Sequence, residues 1–168
     1  DRSGKTPQSM TAELRRFKAK HTAYPDLVIV DYLQLMRSGG KGRITEYEDV
    51  SALSKSMRDS TREFNAAFLV LSQLNRAIEG REDGRPMLSD LLQSGKIEAD
   101  ADVITFINRP GMHGSRNSKK KGGDGQEIPK DYTELLVEKH RQGRLGCAKL
   151  KFDGAHCKFS TWTEGEVK

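Results

Sequence analysis

Apolar residues fall along this chain in two alternating rhythms. Thr11 to Lys20 is short and largely polar, and its spacing predicts a helix with Thr11 as the cap at its start. Pro25 and Asp26 break it. Leu27-Val28-Ile29-Val30 is then an unbroken, β-branched apolar run ending in Asp31, the pattern of a strand buried on both faces. Beyond a glycine-rich stretch from Ser38 to Arg43, the residues Val50, Leu53, Met57 and Phe64 follow a helical seam. Arg58, Asp59, Arg62 and Glu63 face away from it, which predicts a helix of about five turns. Phe68-Leu69-Val70-Leu71 is a second buried strand, closed by Ser72-Gln73. Strand, helix, strand is the βαβ unit from which parallel sheets are built.

The second half is less regular. Ile78 to Arg85 is polar, and Pro86 to Asp102 carries short helical pieces. Val103 to Ile107 predicts a third strand ending at Asn108-Arg109. Residues 111–130 include Lys119-Lys120-Lys121 and show no apolar periodicity, so they are expected to form a mobile basic loop. Thr133 to Val137 resumes the sheet, and Gly146 to Thr163 predicts a closing hairpin packed through Phe152, Phe159 and Trp162. The expected class is α/β: a single partial domain over 1–168, with a mainly parallel twisted sheet and an antiparallel hairpin at its C-terminal end.

Composition narrows the function classes. The chain has 168 residues, enough for one ordinary core, and 32% are charged, against about 25% usually. Lys plus Arg is 29 and Asp plus Glu is 24, a net charge of +5 that permits a polyanionic partner. No apolar stretch approaches the roughly 18 residues of a membrane span, and no leader opens the chain. Membrane and secreted roles are therefore excluded, and a cytoplasmic location is expected. A two-residue turn at Asp153-Gly154 would set Phe152 opposite Ala155 and put Cys147 and Cys157 on opposite faces of the hairpin. The thiols are then expected not to bridge, which suits a reducing compartment. The chain begins at Asp1 rather than methionine and is expected to belong to something longer.

Two positions invite chemistry. Asp31 stands at the C-terminal end of a predicted parallel strand, the edge of an open α/β sheet where ligands bind. An acid there suits magnesium held through its water shell, or simply caps a loop. Gln73 occupies the equivalent place after the second strand, where a glutamine can orient water or sense a phosphate. Gly4-Lys5-Thr6 resembles the end of a phosphate-cradling loop, but the pattern's first glycine and preceding strand are missing, so it reads as a decoy. Lys139 and Arg141 are separated by one residue, and in an extended chain both can reach one anion. Gln93-Ser94-Gly95-Lys96 joins a cation to a glycine whose backbone can approach phosphate.

Taken together, the segments resemble the C-terminal motor domain of replicative DNA helicases of the DnaB type. The carriers are Val28-Ile29-Val30-Asp31-Tyr32-Leu33-Gln34-Leu35-Met36, Leu71-Ser72-Gln73-Leu74-Asn75-Arg76 and Arg85-Pro86-Met87-Leu88-Ser89-Asp90-Leu91. Further on come Ser94 to Asp102 and Glu138-Lys139-His140-Arg141-Gln142-Gly143. The resemblance implies a RecA-like P-loop NTPase core that works as a homo-hexameric ring around single-stranded DNA, an ATP-dependent DNA helicase using ATP and Mg²⁺. It implies Asp31 as the acid supporting Mg²⁺ and Gln73 between the γ-phosphate and the DNA-facing loops. Lys139 and Arg141 become cations reaching a neighbouring subunit's nucleotide. DNA phosphates would be gripped by Gln93, Ser94, Gly95 and Lys96, and by Lys41 and Arg43. Primase and a helicase loader are the implied partners, in a bacterial cytoplasm or, for a viral source, the host's. Leu92 and Gln93 stand where the family has a basic and an acidic residue, and His140 where it has a glutamine. The glycine loop and catalytic glutamate belong to the family's upstream half, so this chain alone is expected not to hydrolyse ATP. A RecA-like loader or recombinase ATPase and a non-catalytic DNA-binding or assembly module of the same fold are the competing readings.

Overall fold

Thr6, rather than Thr11, starts the first helix. In this computed structural model, which describes residues 4–39, 44–81, 84–91, 94–112 and 128–163, helix α1 spans Pro7–His21. Thr6 and Ser9 satisfy each other's backbone N–H groups in a capping box, with Pro7 where a missing N–H costs nothing. The Gly-Lys-Thr triplet is thus the entry to a helix, and the Lys5 ammonium pairs with Glu13 at 2.7 Å.

The described chain forms two compact units, one from Asp1–Asn75 with Leu91–Ala101, the other from Arg76–Asp90 with Asp102–Lys168. In the first, strand β1 (Leu27–Val30) pairs in parallel with β2 (Ala67–Val70), and helix α2 (Glu46–Phe64) makes the crossover between them. Thr45 and Glu48 close a second capping box at the start of α2. The predicted seam is the buried one: Val50, Leu53, Met57 and Phe64 join Met10, Leu14, Val30, Leu33 and Met36 in one core. Ser54 and Arg58 of α2 both reach Asp100, at 2.9 and 3.2 Å, and so tie down helix α3 (Ser94–Asp100).

Neither strand of this unit is buried on both faces. Val30 is buried and Val28, Phe68 and Val70 pack on the core, but Ile29 is 60% and Leu69 53% exposed, with Leu27 and Leu71 beside them also exposed. Alternating side chains of a strand point to opposite faces, and α2 covers only one.

The second unit is a four-stranded antiparallel sheet in the order β3 (Val103–Asn108), β4 (Tyr132–His140), β5 (Gly146–Asp153), β6 (Lys158–Thr161). Antiparallel pairing therefore extends well beyond the closing hairpin. Ile104 faces Lys139 and Thr105 faces Val137, so Glu138 is the extra residue of a β-bulge. On the inner face, Glu134 accepts hydrogen bonds from Asn108 at 2.8 Å, Arg85 at 2.9 Å and the Tyr132 hydroxyl at 3.4 Å. Arg81 likewise pairs with buried Asp90. Burial, with the Glu134 charge beside it, pushes the Tyr132 hydroxyl above its ordinary pKa.

The hairpin register corrects the expectation for its turn. Phe152 faces Phe159 and Asp153 faces Lys158, which leaves a four-residue tip holding Cys157. Asp153 itself lengthens the turn, accepting from the Ala155 N–H at 3.0 Å and meeting the His156 ring at 2.7 Å. Cys147 lies on β5 opposite Leu136, and both thiols are free and exposed. The expected basic loop falls largely on residues 113–127, outside the described residues. Among the described residues no helix is long and apolar enough to cross a membrane.

Candidate functional site

Because β1 and β2 run in parallel, their C-terminal ends emerge side by side, Asp31 from one and Ser72-Gln73 from the other. The pairing continues past both strands: the Leu71 N–H donates to the Val30 carbonyl and the Leu33 N–H to the Leu71 carbonyl, each at 2.9 Å. The chain then tightens into a single 3₁₀ turn, Leu33–Leu35, anchored by buried Leu33 and Met36.

That turn presents Gln34 to the second strand's exit. Its side-chain amide donates to the Ser72 hydroxyl at 3.0 Å, and its carbonyl oxygen accepts the Gln73 backbone N–H at 3.2 Å. One side chain therefore holds two consecutive residues of the neighbouring segment. Sequence reasoning gave Gln34 no role, since a lone glutamine between leucines looks like the exposed position of a turn.

What the edge offers is uncommitted. Asp31 and Gln73 are both exposed. Among the described residues, neither the Asp31 carboxylate nor the Gln73 side-chain amide has a hydrogen-bond or ion-pair partner. Magnesium keeps several waters and takes one or two carboxylates together with phosphate oxygens. A single free, hydrated carboxylate fits a metal that arrives with a nucleotide. It does not fit an all-protein cage, and no group of three or more metal-ligating side chains occurs among the described residues.

The predicted cations lie in the other unit. Lys139 sits in β4 opposite Ile104, half-buried. Arg141 lies just past the strand's end and is doubly tied to Asp102: N–H to carbonyl at 2.9 Å, guanidinium to carboxylate at 2.7 Å. The His140 ring occupies the space a Cβ on Gly143 would need, so this turn requires a glycine there unless the imidazole moves. Of the predicted DNA-facing residues, Ser94, Gly95 and Lys96 form the first turn of α3, with Lys96 exposed. Lys41, Arg43 and Gln93 lie outside the described residues.

The C-terminal edge of parallel strands is where open α/β folds bind ligands, and here that edge carries an acid and a glutamine. The structure superposes on a DnaB-like replicative helicase solved for its interactions with primase. The TM-score is 0.82 at 31% identity, over 97% of this chain and 36% of that one. It also superposes on the ATPase domain of G40P, with a TM-score of 0.81 at 30% identity, over 97% of this chain and 54% of that one. The RecA-like α/β class follows from these likenesses. Residues 1–161 match the model of the DnaB-like helicase C-terminal domain, and the chain belongs to that family. It is similar to the replicative DNA helicase DnaB of Pasteurella multocida, 37% identical over 98% of this chain and 32% of that protein. A probable replicative DNA helicase of Trieres chinensis is 39% identical over 79% of this chain and 28% of that protein. The chain thus spans about a third of the length of the curated relatives it matches.

Proposed function

We propose that this chain is the C-terminal part of the motor of an ATP-driven replicative DNA helicase, both units belonging to one partial RecA-like domain. The motor works as a homo-hexameric ring that translocates on single-stranded DNA and unwinds the duplex. The observation that carries the reading is that Asp31 and Gln73 follow adjacent parallel strands at one sheet edge in a member of this family. Asp31 would hold a hydrated Mg²⁺ arriving with the nucleotide, and the metal would supply charge that offsets that of the phosphates. Gln73 stands between the γ-phosphate and the DNA-facing segments, which include Lys41, Arg43, Gln93, Ser94, Gly95 and Lys96. Those contacts go to phosphates without base readout, as a motor that must cross any sequence requires.

Lys139 and Arg141 act in trans on the neighbouring subunit's nucleotide. Phosphoryl transfer depends on positioning and charge stabilisation, and an arginine so placed contributes roughly 10³–10⁵ in rate, or about 4–7 kcal/mol. Arg141 lies just past a strand end, where its guanidinium pairs with the exposed carboxylate of Asp102. Primase and a helicase loader are the expected partners and the cytoplasm the expected location.

The test is DNA-stimulated ATP hydrolysis by the full-length protein, with Arg141→Ala subunits mixed into wild type in rising proportion. The expected loss is steeper than dilution, because each altered subunit disables its neighbour's site. A linear decline would remove the trans-acting role, and an absence of DNA-stimulated hydrolysis in wild type would remove the helicase reading.

A further inference from the structure

We infer that Gln34 is a positioning residue that sets the orientation of Gln73. The inference rests on the reading of Gln73 given above and adds a residue to it. Three observations converge on the same side chain. Its amide spends both its donor and its acceptor on residues 72 and 73, so the exit of β2 is fixed by a group belonging to the exit of β1. Its backbone lies in the 3₁₀ turn anchored by buried Leu33, so the side chain starts from a fixed base. Gln34 also lines a hollow of about 560 Å³ together with Arg37, Ser38, Ile44, Thr45 and Asp49. These residues flank the stretch that holds Lys41 and Arg43.

A glutamine with a free side chain gains precision when its own N–H is pinned, because only the side-chain torsions remain to be set. The free Gln73 side chain and the engaged Gln73 N–H are the arrangement such a device needs. A merely structural role for Gln34 would instead have it fill buried space, whereas Gln34 and Ser72 are half-buried and Gln73 is exposed.

The experiment uses the full-length protein, ATP and an oligo(dT) strand, and reads two quantities. In Gln34→Met, hydrogen exchange of the peptide containing Ser72 and Gln73 is expected to quicken. The DNA-stimulated kcat is expected to fall about fivefold to tenfold, as loss of two neutral hydrogen bonds implies, with KM for ATP changing less than about twofold. Ser72→Ala removes one of the two bonds from the other side, and a fall of about twofold is expected. Faster exchange with unchanged kcat would show a contact that turnover does not use, and a slower kcat with unchanged exchange would show Gln34 acting elsewhere. Either result, or no change in both, overturns the inference. Gln73→Ala serves as the reference: wild-type turnover there would sink the Gln73 reading itself, which is distinct from an impaired Gln73→Ala beside an unimpaired Gln34→Met.

Discussion

At the tip of the β5–β6 hairpin, Asp153 accepts from the Ala155 N–H and meets the His156 ring. The His156 contact first, then the backbone donors, hold its carboxyl below the ordinary value of 3.8. A depressed folded pKa means that the contact's contribution is fully present above the unfolded value and is lost as pH falls through the lower, folded one. The Ala155 amide resonance is therefore expected to follow the Asp153 titration with a midpoint below 3.8. In Asp153→Asn the movement should be absent, and an NMR titration reads both. The same residue shows what a sequence does not disclose. Asp-Gly is a strong signal for a two-residue turn, but an aspartate that finds a backbone N–H two residues on, and an imidazole three residues on, stabilises the longer tip instead. Gln34 was illegible for a related reason: its partners lie 38 and 39 residues away, and no local pattern encodes them.

Helix α2 was the most legible element, since its apolar seam, its acidic first turn and its crossover role are all written at helical spacing. Its energetics follow. Leu53 is fully buried at the centre of the seam, and Leu53→Ala is expected to cost about 2–5 kcal/mol, while Thr45→Ala, which opens the capping box, costs about 0.5–2 kcal/mol. Chemical denaturation of the full-length protein, followed by the signal of this domain, would separate the two. The start of α1 differs from the sequence expectation because Thr11 and Thr6 are both acceptable caps, and the proline at the first helical position decides for Thr6. The strands were placed correctly to within a few residues, but four consecutive apolar side chains cannot reveal whether one face or two are covered. The β3–β4 pairing was equally hidden, because the two strands are separated by residues with no periodic signal.

On the scale of the molecule, the candidate edge was readable in advance only because two strands of one βαβ unit must end together. A property of this chain taken alone follows from the one-sided cover of β1 and β2. Leu27, Ile29, Leu69 and Leu71 present a strip of apolar strand to water on a chain whose net charge is +5. Added ammonium sulfate moves both features toward association. The salt screens the charge that keeps molecules apart, and it strengthens apolar association because it is excluded from protein surface. Light scattering from this chain is expected to rise at moderate sulfate and to rise later when Ile29 and Leu69 are both changed to Gln. Equal onset in the two would show that the strip does not govern its colloidal behaviour. Solubility here becomes a reporter of sheet architecture: how soon the solution clouds measures how much of one strand face is left open.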